Sequence, residues 1–281
     1  MVNRKVVKLS KVELSYLEWQ QGTEPLLLLH GLADHALVWS SLGDYLAKDY
    51  HIIAPDLRGH GDSGKPEKGY KFSDYIDDLN ELMSYLGWNS AHILSHSWSA
   101  KLATIWATKQ PERFKDLILI DPFFIDKMPS VFKVTFPLLY KVLPFLKAMG
   151  PFNSYEEAEK LARTLKQYQG WTPLQQQVFK LGMEEKDHGT WGSKFIQQAR
   201  DEIFEEVMKY AGLTQTINIP TLFIKPEKGL NRTAWQMKPY QTYLKQLKIV
   251  EVPGNHWAFL VEPFPFNETV KTFLKESKTQ M

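Results

Sequence analysis

Ser97 is the residue whose setting most directly suggests chemistry. It lies in AHILSHSWSAKLATIWATK (91–109), where a short apolar run stops at the serine and a helical pattern starts at once. A strand that turns sharply into a helix lifts the turn residue above the sheet, the context of a nucleophile elbow. The same turn leaves the backbone N–H of Trp98 at a helix N-terminus, where it can donate to an oxyanion. The bend is cramped, so the residues two before and two after the serine must be small. Here they are Ser95 and Ser99, followed by Ala100.

Elements able to hold such a turn run through the first half of the chain. The stretches 6–9 and 12–19 read as a pair of strands, and 26–29 is a four-leucine run suited to a strand buried on both faces. The stretches 51–54, 91–95 and 117–120 have the same look. Between them, KFSDYIDDLNELMSYLG sets Tyr75, Leu79, Leu82 and Leu86 at helical spacing, with Ser73 as the expected N-cap and Gly87 as the stop. Asp74 and Asp77 suit the start of that helix. Strands alternating with helices predict a mostly parallel α/β sheet. From 122 to 215 the pattern is helical with no convincing strand, and Ser154 and Thr172-Pro173 announce two helices. The strand pattern returns in IPTLFIK and KIVEVP. The expected organisation is an α/β core of residues 1–121 and 216–281, split by a helical cap over 122–215.

Composition narrows the chemistry. The 281 residues are 43% hydrophobic and 23% charged, enough to bury a core. Cysteine is absent, which removes disulfides, thiolate metal sites and cysteine nucleophiles and is compatible with a cytoplasmic location. With 34 basic and 32 acidic residues, the net charge of +2 gives no footprint for nucleic acid. The N-terminal segment lacks the apolar core of a signal peptide. The most lipophilic stretch, 131–149, is broken by Lys133, Lys141, Lys147, Pro137 and Pro144, so it fails as a membrane span. It remains a candidate surface for lipid or a greasy substrate.

Over residues 20–121 and 216–276 the chain resembles the α/β-hydrolase family. The family elbow is G-x-S-x-G, and this chain reads Ser95-His96-Ser97-Trp98-Ser99, with serine for both glycines. LLLLHG followed by Trp39 resembles the family's third strand and oxyanion loop, so the N–H of Leu32 would be the second oxyanion donor. APDLRGHGDSG resembles the loop after the fourth strand, whose glycines serve tight turns. Gln110-Pro111-Glu112-Arg113 before DLILID also fits. The resemblance implies an eight-stranded, mostly parallel sheet with helices on both faces and the cap inserted after strand six.

The resemblance also implies a base. His256, in VPGNHWAFLVEP after the last predicted strand, matches the family's catalytic histidine in position and chain order. It would deprotonate Ser97 and later protonate the leaving group. The acid departs from the usual pattern. Where most members carry it after the seventh strand, this chain reads Lys225-Pro226-Glu227-Lys228-Gly229, with glycine in the aspartate's place. Some haloalkane dehalogenases and thioesterases place it after strand six instead, and here that residue is Asp121. Asp121, Glu227 or no acid at all are the alternatives, and a triad's need for an orienting group favours Asp121.

The expected function is a serine hydrolase of carboxylic esters or thioesters, without cofactor or metal, working through an acyl-enzyme on Ser97. Serine at the elbow argues against dehalogenase and epoxide-hydrolase chemistry, which uses aspartate there. A C–C hydrolase, a lactonase, an inactive ligand-binding relative and a peripheral lipase are the competing readings. The cap would lie over the elbow, since strand C-termini carry the site. Trp98 would wall the pocket, and Phe123 and Phe124, at the head of an aromatic run that includes Phe132, Phe136, Phe145 and Phe152, are candidate contacts for an apolar acyl portion. His92 and His96 read as structural, since strand geometry does not make their spacing a metal pair. Arg4, Lys5, Lys8 and Lys11 read as a solvated edge face, and Asp187-His188-Gly189 as a loop. Asn231-Arg232 is left without a role.

Overall fold

The computed structural model describes residues 2–128, 146 and 149–280, with the side chains of 279 and 280 left aside. Most of the apolar run at 131–149, with Phe132, Phe136 and Phe145, lies outside the described residues.

Eight strands form one sheet: β1 (Asn3–Lys8), β2 (Glu13–Gln20), β3 (Glu24–Leu29), β4 (Tyr50–Pro55), β5 (Ala91–His96), β6 (Phe114–Ile120), β9 (Thr221–Lys228) and β10 (Leu247–Asn255). Their order is β1-β2-β4-β3-β5-β6-β9-β10. β2 pairs antiparallel with β1 and β4, and every other pairing is parallel. The leucine run of β3 shows why the sheet sits where it does. Leu27 and Leu29 enter one hydrophobic cluster and Leu26 and Leu28 the other, so both faces are covered.

Helices cover those faces: α1 (Ser40–Leu46), α2 (Phe72–Tyr85), α3 (Trp98–Lys109), α7 (Ala234–Tyr243), the short α8 (Ala258–Val261) and α9 (Pro263–Gln280). In α2, Tyr75, Leu79 and Leu82 are fully buried, and Gly87 adopts φ +71° to leave the helix. The start differs from expectation. Lys71, not Ser73, is the N-cap, and Asp74 closes the turn by accepting from the Lys71 N–H at 3.1 Å. An acidic side chain three residues in supplies that closure whatever residue occupies the cap.

Between β6 and β9 lie α4 (Tyr155–Ala162), α5 (Pro173–Gly182) and α6 (Gln197–Lys209). Ser154 and Thr172 cap α4 and α5 by accepting from Glu157 N and Gln175 N. The stretch also holds a hairpin that the sequence reading missed, β7 (Met183–Glu185) against β8 (Trp191–Ser193). Its turn contains Asp187-His188-Gly189, with His188 at φ +61°. Among the described residues, no helix is long and apolar enough to cross a membrane.

The basic N-terminal residues are exposed, as expected, on the edge strand β1 and the turn after it, and two of them also reach buried carboxylates. Arg4 reaches across to Asp56 at 2.8 Å, whose side chain is only 1% exposed, and Lys5 pairs with the buried Glu18. Asp56 in turn accepts from Ala36 N and Asp62 N, so the glycine loop after β4 braces the segment after β3. His92 Nδ1 donates to Asp116 Oδ2 at 2.6 Å, a buried pair within the sheet.

Candidate active site

The elbow forms without its glycines. Ser97 follows the end of β5 at φ +60°, ψ −119°, a region a serine enters only when its surroundings force it. Three main-chain bonds do so: Ser97 N donates to Ile120 O, and Ser97 O accepts from Ala100 N and Phe123 N. The replacement serines are buried and bonded. Ser99 Oγ accepts from His96 N at 3.0 Å, and its hydroxyl hydrogen is shared between His96 O at 2.9 Å and Leu29 O at 3.1 Å. Ser95 Oγ donates to Ile118 O. Each hydroxyl thus finds a backbone partner that glycine would leave to its neighbours.

On the far side, His256 follows β10. Its Nδ1 lies 2.6 Å from Asp121 Oδ2, and its side chain is 13% exposed. Asp121 stands directly after β6 at φ +40° and is fully buried. Its carboxylate also accepts from Leu230 N, Asn231 N and Asn231 Nδ2. Burial would raise its pKa, but His256, Asn231 and the Leu230 N–H outweigh that and hold the carboxyl below its ordinary value. With Nδ1–H committed to the carboxylate, Nε2 of His256 is the nitrogen left to act as a base.

Glu227 is exposed, and the structure does not bring it to His256. Gly229 has a positive reason to be glycine: a Cβ there would meet Asp121 Oδ2 at 2.7 Å. The carboxylate arriving from β6 occupies the space a side chain after β9 would need. Asn231, left without a role on sequence, clamps the acid to Pro122 O and is the polar residue that sequence reasoning missed.

Ser97 and His256 border one cavity of about 190 Å³. Leu32 and Trp98 line it too, at the positions expected of the two oxyanion donors, and the Trp98 ring stacks with His60 and meets Tyr75 edge to face. Phe123, Ile203, Phe204, Val207 and Leu230 make the cavity largely apolar, and Ile203, Phe204 and Val207 come from α6. Phe123 and Phe124 pack edge to face with ring centroids 4.6 Å apart; Phe123 borders this cavity and a second hollow, whereas Phe124, at φ +41°, borders the second hollow.

His96 does more than fill space. Its Nε2 donates to His256 O at 2.9 Å, and its ring lies 4.4 Å from the His256 ring. Its Nδ1 is buried without a hydrogen bond, 3.7 Å from Asp34 Oδ2. Burial, and then the nearby His256, push its pKa down to about 4, so it stays neutral. Gly31 makes room for this contact, because a Cβ there would lie 2.5 Å from His96 Nδ1.

Lys101, one turn into α3, is fully buried. Its ammonium donates to Phe124 O at 2.7 Å, Asp126 O at 3.1 Å and Val207 O. Burial pushes its pKa down to about 7, against the opposing charge of Asp126. Glu206 adds a second tie by accepting from Phe72 N at the start of α2. Among the described residues, no cluster of His, Asp or Glu is arranged to hold a metal ion.

A family model for the alpha/beta hydrolase fold matches residues 24–263. A soluble epoxide hydrolase from a Corynebacterium strain is 34% identical over 116 residues, covering 41% of this chain and 39% of that protein. A 2-(acetamidomethylene)succinate hydrolase from Mesorhizobium japonicum is 25% identical over 263 residues, covering 92% of this chain and 90% of that one. A solved structure of E-2-(acetamidomethylene)succinate hydrolase superposes with a TM-score of 0.77 at 20% identity, covering 98% of this chain and 100% of that one. At that identity the superposition speaks for the fold alone.

Proposed function

Since the chain belongs to the alpha/beta hydrolase fold family, we propose that it is a serine hydrolase that cleaves a carboxylic ester or thioester with an apolar acyl portion. The observation that carries this reading is the Asp121–His256 pair, closed at 2.6 Å beside a cavity that Ser97 also borders. Ser97 Oγ attacks the carbonyl carbon while His256 Nε2 takes its proton. The tetrahedral oxyanion is held by the N–H groups of Leu32 and Trp98. His256 then gives the proton to the leaving alcohol or thiol, which departs as the carbonyl re-forms on Ser97. Water, deprotonated by the same nitrogen, attacks the acyl-serine; the acyl–oxygen bond breaks, the proton passes from Nε2 to Ser97 Oγ, and the acid leaves. Asp121 keeps the imidazole in the needed tautomer and stabilises it once charged. The α6 side chains over the cavity supply the apolar contact, so the 122–215 insertion acts as a cap.

The relatives named above include an epoxide hydrolase, but serine at position 97 supports acyl transfer. A fluorophosphonate probe tests the reading. Labelling of the wild type that is lost in Ser97→Ala, together with turnover of p-nitrophenyl esters or acyl-thioesters, is the expected result. Absence of both labelling and turnover would reduce the protein to a ligand-binding member of the family.

A further inference from the structure

Two apolar hollows meet at Phe123 and Leu230. The inner one is the cavity of Ser97 and His256. The outer one, about 160 Å³, lies between the segment after β6 and the segment after β9 and is lined by Phe124, Ile125 and Trp235. Phe123 and Leu230 border both, so these two side chains are a common wall. The outer hollow exposes unusual apolar bulk: Trp235 is 73% exposed, Phe124 47% and Leu230 41%. Grouped apolar exposure of this kind marks a surface that an apolar group covers.

We propose that the outer hollow is a tail compartment of the same site, taking the far end of a medium- or long-chain alkyl acyl group whose carbonyl lies at Ser97. This rests on the serine-hydrolase reading. Adjacency argues for it, because among the described residues Phe123 and Leu230 alone stand in both linings, and a chain that parts these two side chains passes from the inner cavity to Phe124 and Trp235. Charge sets the tail's chemistry. Among the described residues the charged residue lining the outer hollow is Asp126, which repels a terminal carboxylate and so favours a plain hydrocarbon tail over a dicarboxylic one. The wall is also connected to the machinery: Phe123 N donates to Ser97 O, and Leu230 N donates to Asp121. A tail lodged between those residues bears on the segments that fix the nucleophile and the acid, so chain length acts on kcat as well as on KM.

The test compares butanoate with dodecanoate in two readouts. One is kcat/KM for the p-nitrophenyl esters, and the other is calorimetric binding of the free acids to Ser97→Ala. Dodecanoate is expected to be preferred by about tenfold or more in both. Trp235→Ala and Phe124→Glu, both at exposed positions, are each expected to cut that preference about fivefold. A preference untouched by both substitutions overturns the compartment. So does a loss of binding to phosphatidylcholine vesicles in Trp235→Ala with the chain-length preference intact, which would make the patch a lipid-docking face. Failure of the serine-hydrolase reading is separate: no ester is cleaved, yet the binding preference for dodecanoate still falls in the two variants.

Discussion

Asp121 and His256 stand 135 positions apart in the chain, and their side chains meet at 2.6 Å. The contact joins the end of β6 to the segment after β10, two strands separated in the sheet by β9. Asp121→Asn is expected to lower kcat by ~10³–10⁴-fold, because the amide favours the wrong imidazole tautomer. Glu227→Gln, at an exposed position, should stay within about twofold of wild type. Steady-state ester hydrolysis by the two variants checks this, and equal losses would reject Asp121 as the orienting acid.

Gly229 offers a sharper test of the same geometry. A methyl group added there meets the Asp121 carboxylate at 2.7 Å, so Gly229→Ala must displace either the acid or the loop that donates to it. A misplacement of that size costs ~10²-fold in rate. Wild-type kcat in Gly229→Ala, with the protein folded by circular dichroism, would show that the carboxylate's position is not critical.

The elbow serines lead to a stability prediction. Ser99→Ala leaves His96 N–H and Leu29 O without their buried hydroxyl partner. The expected loss is about 1–3 kcal/mol in urea unfolding. Ser99→Gly should be no better, since it removes the same hydroxyl.

His96 ties stability to pH. Its folded pKa of about 4 lies below the ordinary 6.5, so the unfolded chain binds the extra proton between those values. Stability supported by the neutral ring is therefore complete above pH 6.5 and is lost as pH falls toward 4. The difference amounts to roughly 3 kcal/mol. Unfolding curves from pH 7 to 4 should show a steeper decline for the wild type than for His96→Gln. Parallel curves would mean the ring is not held neutral by its burial.

Much of this architecture is legible in local patterns. The leucines of β3, the helical spacing of α2 and the caps Ser154 and Thr172 are signals written within a few residues, and each is where it was expected. The β7–β8 hairpin escaped because Met-Glu-Glu and Trp-Gly-Ser are too short to show alternation. The role of Asn231, and the particular contacts behind Gly229 and the structural reading of His96, escaped for a different reason. Their meaning arises from contact with Asp121 and His256, residues remote in the chain, and no spacing rule reports such meetings.

Lys101 has a consequence for anyone who would exchange the segment between β6 and β9. One ammonium holds carbonyls from its beginning, at Phe124 and Asp126, and from its end, at Val207. A graft from a relative that places those carbonyls differently at one or both stumps would strand a buried cation on the helix that Ser97 begins. Chimaeras of this enzyme scaffold should therefore carry the lysine's partners across with the transplanted piece, or replace Lys101 with an aliphatic residue at the same time.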